Sequence, residues 1–146
     1  MAAVKKASLV WTGPEQAFHT TMATGYEFDM VAPAGTEGAT PMEFLLAAAA
    51  GCTGMDLVTI LQKRRQKISE IRLEISGTQA EDPPNVFTEA TLTYIIRGEG
   101  VDPAAVERAI ELSLEKYCSA SIMLKRAGME LTTDYRIEEV PISEPA

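Results

Sequence analysis

The chain has 146 residues, 46% hydrophobic and 23% charged, enough apolar material for one domain with a real core and too much for a disordered chain. Its formal net charge is −8 and its only basic run is the short KRRQK at 63–67, so nucleic acid and anionic membrane surfaces are poor partners. The opening MAAVKKASLVW has neither the apolar segment nor the small-residue cleavage site of a signal peptide, and cysteine is sparse. A cytoplasmic protein with reduced thiols is therefore expected. His19 is the single histidine, and the two cysteines lie far apart in sequence, so no metal-ligand spacing exists and no cofactor is expected.

The first third reads as strands. ASLVWTG and AFHTTMAT are separated by the turn signal GPEQ, and YEFDMVAP follows Gly25, giving a meander or a hairpin plus one strand. APAGTEGAT is a loop. TPME then opens a helix, with Thr40 as N-cap, Pro41 at the first helical position and Glu43 closing a capping box. The helix is expected to reach about Arg65, where basic residues suit the negative end of its dipole.

Within it, FLLAAAAGCTGMDLVTIL is an almost unbroken apolar run. Asp56, Thr53, Thr59 and the weakly apolar alanines speak against a membrane span, leaving a helix buried on nearly all sides of a globular fold. Gly51 and Gly54 flank Cys52 and cost about 1 kcal/mol each relative to alanine, which a helix accepts where another backbone or a ligand must come close.

ISEIRLEISGTQ alternates apolar and polar residues, AEDPPNV is a loop, and FTEATLTYIIRG completes a hairpin. Asp102 and Pro103 open a second helix through AAVERAIELSLEKY, and CSASIMLKRAG forms a short third helix stopped by Gly128. MELTTDYRIEEV is the last strand and PISEPA a frayed tail. No linker divides the chain, so residues 1–146 are expected to form one domain.

Cys118 falls at a helix junction, with Ser119 and Ser121 as candidate caps, where the positive end of a helix dipole favours thiolate. Cys52 lies mid-helix, where burial and the Asp56 carboxylate one turn on would raise its pKa, so a reactive Cys52 requires a cation from elsewhere. Free cysteines also simply fill space, and the residues alone leave both readings open. Asp56 either pairs with a cation such as Arg97 or Lys125 or faces a polar pocket. His19 reads as a surface or interface residue, and Met22, Met30, Met42, Met55 and Met123 as packing.

PMEFLLAAAAGCTGMDLVTIL, followed by EKYCSASIMLKRAG, resembles the OsmC/Ohr family of osmotically inducible and organic hydroperoxide resistance proteins. The GCTGMD form is closest to its YhfA-like branch, and the resemblance covers essentially the whole chain. It implies an α+β fold, with antiparallel sheets wrapped around two long central helices in an intertwined homodimer.

For peroxidase members it implies a thiol cycle in oxidative stress defence. Cys52 attacks an organic hydroperoxide and becomes a sulfenic acid, and Cys118 resolves it as a disulfide. A dithiol reductant then opens the disulfide, a lipoylated protein being the partner in view. Glu43 and Asp56 are candidate supporting residues. Those members draw an arginine from the N-terminal region to hold the thiolate, whereas here no arginine precedes Arg64, leaving Lys5, Lys6 and His19 as the basic residues there.

They also carry a carboxylate directly after the helix-opening proline. Here that position is Met42, and the neighbouring Glu43 lies roughly half a turn out of phase with Cys52 at about 100° per residue. The leading expectation is an organic hydroperoxide reductase. The alternative is a non-catalytic dimer binding a small apolar ligand or redox partner near Cys52.

Overall fold

The computed structural model describes residues 2–142, in two compact units that divide between Leu45 and Leu46. The first is the expected meander, β1 (Ala7–Trp11), β2 (Gln16–Met22) and β3 (Glu27–Ala32), antiparallel and in that order. Register places Trp11 beside Phe18, Phe18 beside Met30, and Thr20 between Leu9 and Phe28, so alternation collects these residues on one face. Trp11 and Phe18 remain 61% and 42% exposed on it. On the other face His19 bridges Asp29 at 2.7 Å and Glu27 at 3.0 Å. Gly25 takes φ +96° in the β2–β3 turn, a conformation that glycine adopts without a Cβ clash.

The first turn of α1 (Pro41–Lys63) forms the predicted capping box: the Glu43 N–H donates to Thr40 Oγ1 at 3.2 Å and the Thr40 N–H to Glu43 Oε1 at 2.9 Å. The helix stops at Lys63, short of the expected Arg65, because Arg65 turns into the left-handed region at φ 58°. The Arg65 N–H then reaches Gln62 O and the Gln66 N–H reaches Leu61 O, the paired bonds of a Schellman ending built on an arginine.

The second unit adds β4 (Lys67–Gln79), β5 (Phe87–Glu99), α2 (Pro103–Leu112), a π-helical turn (Ser113–Tyr117), α3 (Ser119–Arg126) and β6 (Glu130–Glu139). Asp102 caps α2 by accepting the Ala104 N–H at 3.0 Å. That helix was expected to continue through Tyr117. Instead its last residues widen into the π turn, closed by the Cys118 N–H donating to Ser113 O at 2.7 Å. Gly128, at φ +111°, ends α3 with the same Schellman pattern. Pro141 and Ile142 follow β6 without regular structure, and the rest of the expected tail lies outside the described residues.

The sheet order is β4-β5-β6, which makes β5 the central and most buried strand. The α+β class stands, with one correction to the expectation of antiparallel sheets. β4 and β5 form an antiparallel hairpin, but β6 runs parallel to β5, since α2 and α3 provide a crossover where a tight turn would have reversed the chain.

The core joins Leu57 and Leu61 of α1 to Leu92, Tyr94 and Ile96 of β5 and Val106 and Ala109 of α2. Helix α1 is not covered all round by its own chain, as its uniform apolarity suggested. Ala49, Ala50, Thr53, Gly54, Leu57 and Leu61 are buried, while Met55 is 74% and Val58 42% exposed. Met55 and Met123 are therefore surface residues of this chain rather than the packing residues expected.

Candidate dithiol site

The site grows from one turn of α1. Gly54 lets that turn approach β4: a Cβ there would stand 2.8 Å from Leu73 Cδ1. The close neighbour is a strand side chain, not the backbone or ligand expected. Gly51, on the other side of Cys52, has nothing within 4 Å of its would-be Cβ.

Cys52 is half-buried on this turn and Cys118 is wholly buried, both as free thiols. The fold brings them together. Cys118 is itself the N-cap of α3, in place of the expected Ser119 or Ser121, and accepts the Ser121 N–H at 3.4 Å. Its thiol donates to Ser121 Oγ at 3.1 Å, which donates in turn to Ala49 O of α1 at 3.3 Å. Burial pushes the Cys118 thiol up, the side-chain and backbone bonds with Ser121 pull it down, and the neighbouring Cys52 pushes it up. The expected thiolate is therefore not favoured at Cys118, because desolvation outweighs the Ser121 hydrogen bonds.

Beside the thiols lies a hydroxyl network that the sequence reading missed. Thr53 Oγ1 is 2.8 Å from Tyr94 Oη and 2.6 Å from Ser113 Oγ, and Ser113 Oγ donates to Asp56 Oδ2 at 2.8 Å. The ionised carboxylate can only accept, so it orients every proton. Ser113 spends its one proton on Asp56, so Thr53 donates to Ser113 and Tyr94 donates to Thr53. Tyr94 is pushed up to about 12, chiefly by burial, with Thr53 pulling down and the charges of Cys118 and Asp56 pushing up. The sequence held one faint signal of this network, a threonine directly after the cysteine in an apolar helix.

Asp56 thus takes the polar-pocket alternative and pairs with neither expected cation. Arg97 binds Glu70 and Glu138, and Lys125 donates to the Leu114 carbonyl. Glu43 is engaged with Thr40 in the capping box. His19 is tied to Glu27 and Asp29, which raise its pKa in that order. Among the described residues no group of three or more His, Cys, Asp or Glu converges as a metal site.

The chain is thus an α+β protein of two three-stranded sheets, with one free cysteine on a long helix and a second at a helix cap. The family model described as OsmC-like protein matches residues 34–134, and the chain belongs to that family. Protein YhfA of Escherichia coli is 38% identical over 115 residues, covering 79% of this chain and 85% of that protein. Among solved structures, a hypothetical protein from Aquifex aeolicus is 28% identical with a TM-score of 0.86, over 96% of this chain and 100% of that one. An organic hydroperoxide resistance protein from Elizabethkingia anophelis shares the fold at 19% identity and a TM-score of 0.72, over 94% and 99% of the two chains.

Proposed function

We propose that this protein reduces organic hydroperoxides through Cys52 and Cys118, as a cytoplasmic homodimer in oxidative stress defence. The observation that carries the reading is the meeting of two free thiols from distant parts of the chain, one half-exposed and one buried. The Cys52 thiolate attacks the O–O bond of ROOH. The sulfur is oxidised to the sulfenic acid, and the departing alkoxide takes a proton to leave as ROH. The Cys118 thiol then displaces hydroxide from that sulfur, its proton leaving with the hydroxide as water, and an external dithiol reduces the disulfide. The asymmetry suits the division of labour: Cys52 can meet substrate, while Cys118 is kept protonated and protected until needed. The likeness to a hydroperoxide resistance protein supports this choice of substrate.

The unpartnered side of α1 supports the homodimer. Ala48, Met55 and Val58 form an outward apolar stripe, with open space at Gly51. Covering a methionine or valine fully stabilises by about 1.5–3 kcal/mol per side chain, which a second copy could supply.

One observation favours the second reading, a dimer that binds without turnover: no arginine precedes Arg64 to stabilise a Cys52 thiolate. The deciding experiment is consumption of cumene hydroperoxide and hydrogen peroxide with a dithiol reductant, beside Cys52→Ser and Cys118→Ser. Turnover that prefers the organic peroxide and disappears in Cys52→Ser is expected. A wild type no faster than Cys52→Ser overturns the peroxidase and leaves the binder.

A further inference from the structure

Beyond the thiols, the second half of α1 forms one wall of a cavity of about 530 Å³, within the range of about 300–1,000 Å³ in which proteins hold small molecules. Asp56, Ile60, Lys63 and Arg64 succeed one another along the helix, and the opposite wall is Leu112 and Tyr117, which bracket the π turn. The widened turn thus helps shape the cavity. Lys116 holds its ammonium 5.3 Å from the Tyr117 ring centre.

The chemistry changes along the cavity. At one end stands Asp56, with Oδ2 taken by Ser113 and a second oxygen available to accept. The middle is mainly apolar, from Ile60, Leu112 and the Tyr117 ring, with Thr59 spending its hydroxyl proton on the Met55 carbonyl at 3.2 Å. At the other end are Lys63 and Arg64, neither of which forms an ion pair among the described residues. At the helical rise per residue, Asp56 and the two cations are separated by about 10–12 Å along the axis. In a chain of net charge −8, two unpaired cations at a cavity mouth select an anion.

We propose that this cavity is a binding site for an elongated amphiphile. Its carboxylate would lie on Lys63 and Arg64, its alkyl body between Ile60, Leu112 and Tyr117, and a terminal hydrogen-bond donor on Asp56. The guanidinium fork suits a carboxylate, and Asp56 rewards a ligand that ends in a hydroxyl over one that ends in a methyl. The site needs no thiol chemistry, and binding is independent of the oxidation cycle.

The test is calorimetric titration of the purified full-length protein with ω-hydroxydecanoate, decanoate and decanol. The hydroxy acid is expected to bind about tenfold more tightly than either analogue, the usual worth of one hydrogen bond to a charged group. Lys63→Gln combined with Arg64→Gln removes its advantage over decanol, Asp56→Ala removes its advantage over decanoate, and Cys52→Ser leaves all three affinities unchanged. No saturable binding, equal affinity for all three probes, or loss of binding in Cys52→Ser overturns the proposal. Should Asp56→Ala fail to fold, the wild-type ranking of the three probes decides alone. The peroxidase reading can fail while this ranking holds, and the reverse.

Discussion

Thr53→Val tests the hydroxyl network most directly, because it keeps the shape of the side chain and removes one oxygen. Thr53 and Tyr94 are both wholly buried, so water cannot replace what is lost. The substitution removes the bonds to Tyr94 at 2.8 Å and Ser113 at 2.6 Å. Each has a net worth of about 1 kcal/mol, and the stranded Tyr94 hydroxyl adds about 1–3 kcal/mol of uncompensated desolvation. Ser113 still donates to Asp56 and loses only an incoming bond. The expected destabilisation is about 3–5 kcal/mol.

Urea unfolding followed by circular dichroism, at one fixed protein concentration because self-association also stabilises, should show Cm falling with m unchanged. Tyr94→Phe supplies the internal control. In the wild-type background it breaks the network and costs about 1 kcal/mol, whereas in Thr53→Val it removes the orphaned hydroxyl and should recover about 1–3 kcal/mol, a coupling of about 2–4 kcal/mol. A Thr53→Val protein within about 0.5 kcal/mol of wild type, or a Tyr94→Phe effect equal in both backgrounds, refutes the directional network.

The two glycines beside Cys52 should behave oppositely as regards their own chain. Gly54→Ala drives a Cβ into Leu73, and about 1–3 kcal/mol of overpacking against about 1 kcal/mol of helix gain leaves a net loss in urea unfolding of about 1 kcal/mol. Gly51→Ala meets nothing in this chain, so its effect reports the partner: weaker self-association by sedimentation places the second copy on this face, and unchanged association with a stability gain places it elsewhere. His19 should titrate above 6.5 by NMR because Glu27 and Asp29 favour its cation, and Glu27→Gln or Asp29→Asn should bring it down. Since the folded value is the raised one, the stabilisation is full below 6.5 and is lost as pH rises through the folded pKa. It should also weaken with salt, the site being exposed. An unshifted His19 would show that these surface contacts do not persist in solution.

What the sequence made legible is what neighbouring residues decide among themselves. Thr40, Pro41 and Glu43 could be read as a helix start, Asp102 and Pro103 as another and Gly128 as a stop, because each acts on backbone groups within a turn of itself. Arg65 ends α1 with the same bonds that Gly128 uses for α3, yet nothing in an arginine advertises a left-handed residue. The π turn was illegible for a related reason. Ser113–Tyr117 has ordinary helical residues, and what accompanies the widening is remote: Thr53 and Asp56 hold Ser113 from another helix.

The two cysteines carried a family resemblance, but their unequal burial follows from the fold, since Cys118 lies wholly buried at a cap against Ala49 and Cys52 is only part-buried on the helix that carries Ala49. The apolar run of α1 poses the deepest case. Burial by one's own chain and burial by another copy ask the same composition of a helix, so Leu57 and Met55 look alike in sequence. Only the fold separates the residue that fills this core from the one it leaves exposed.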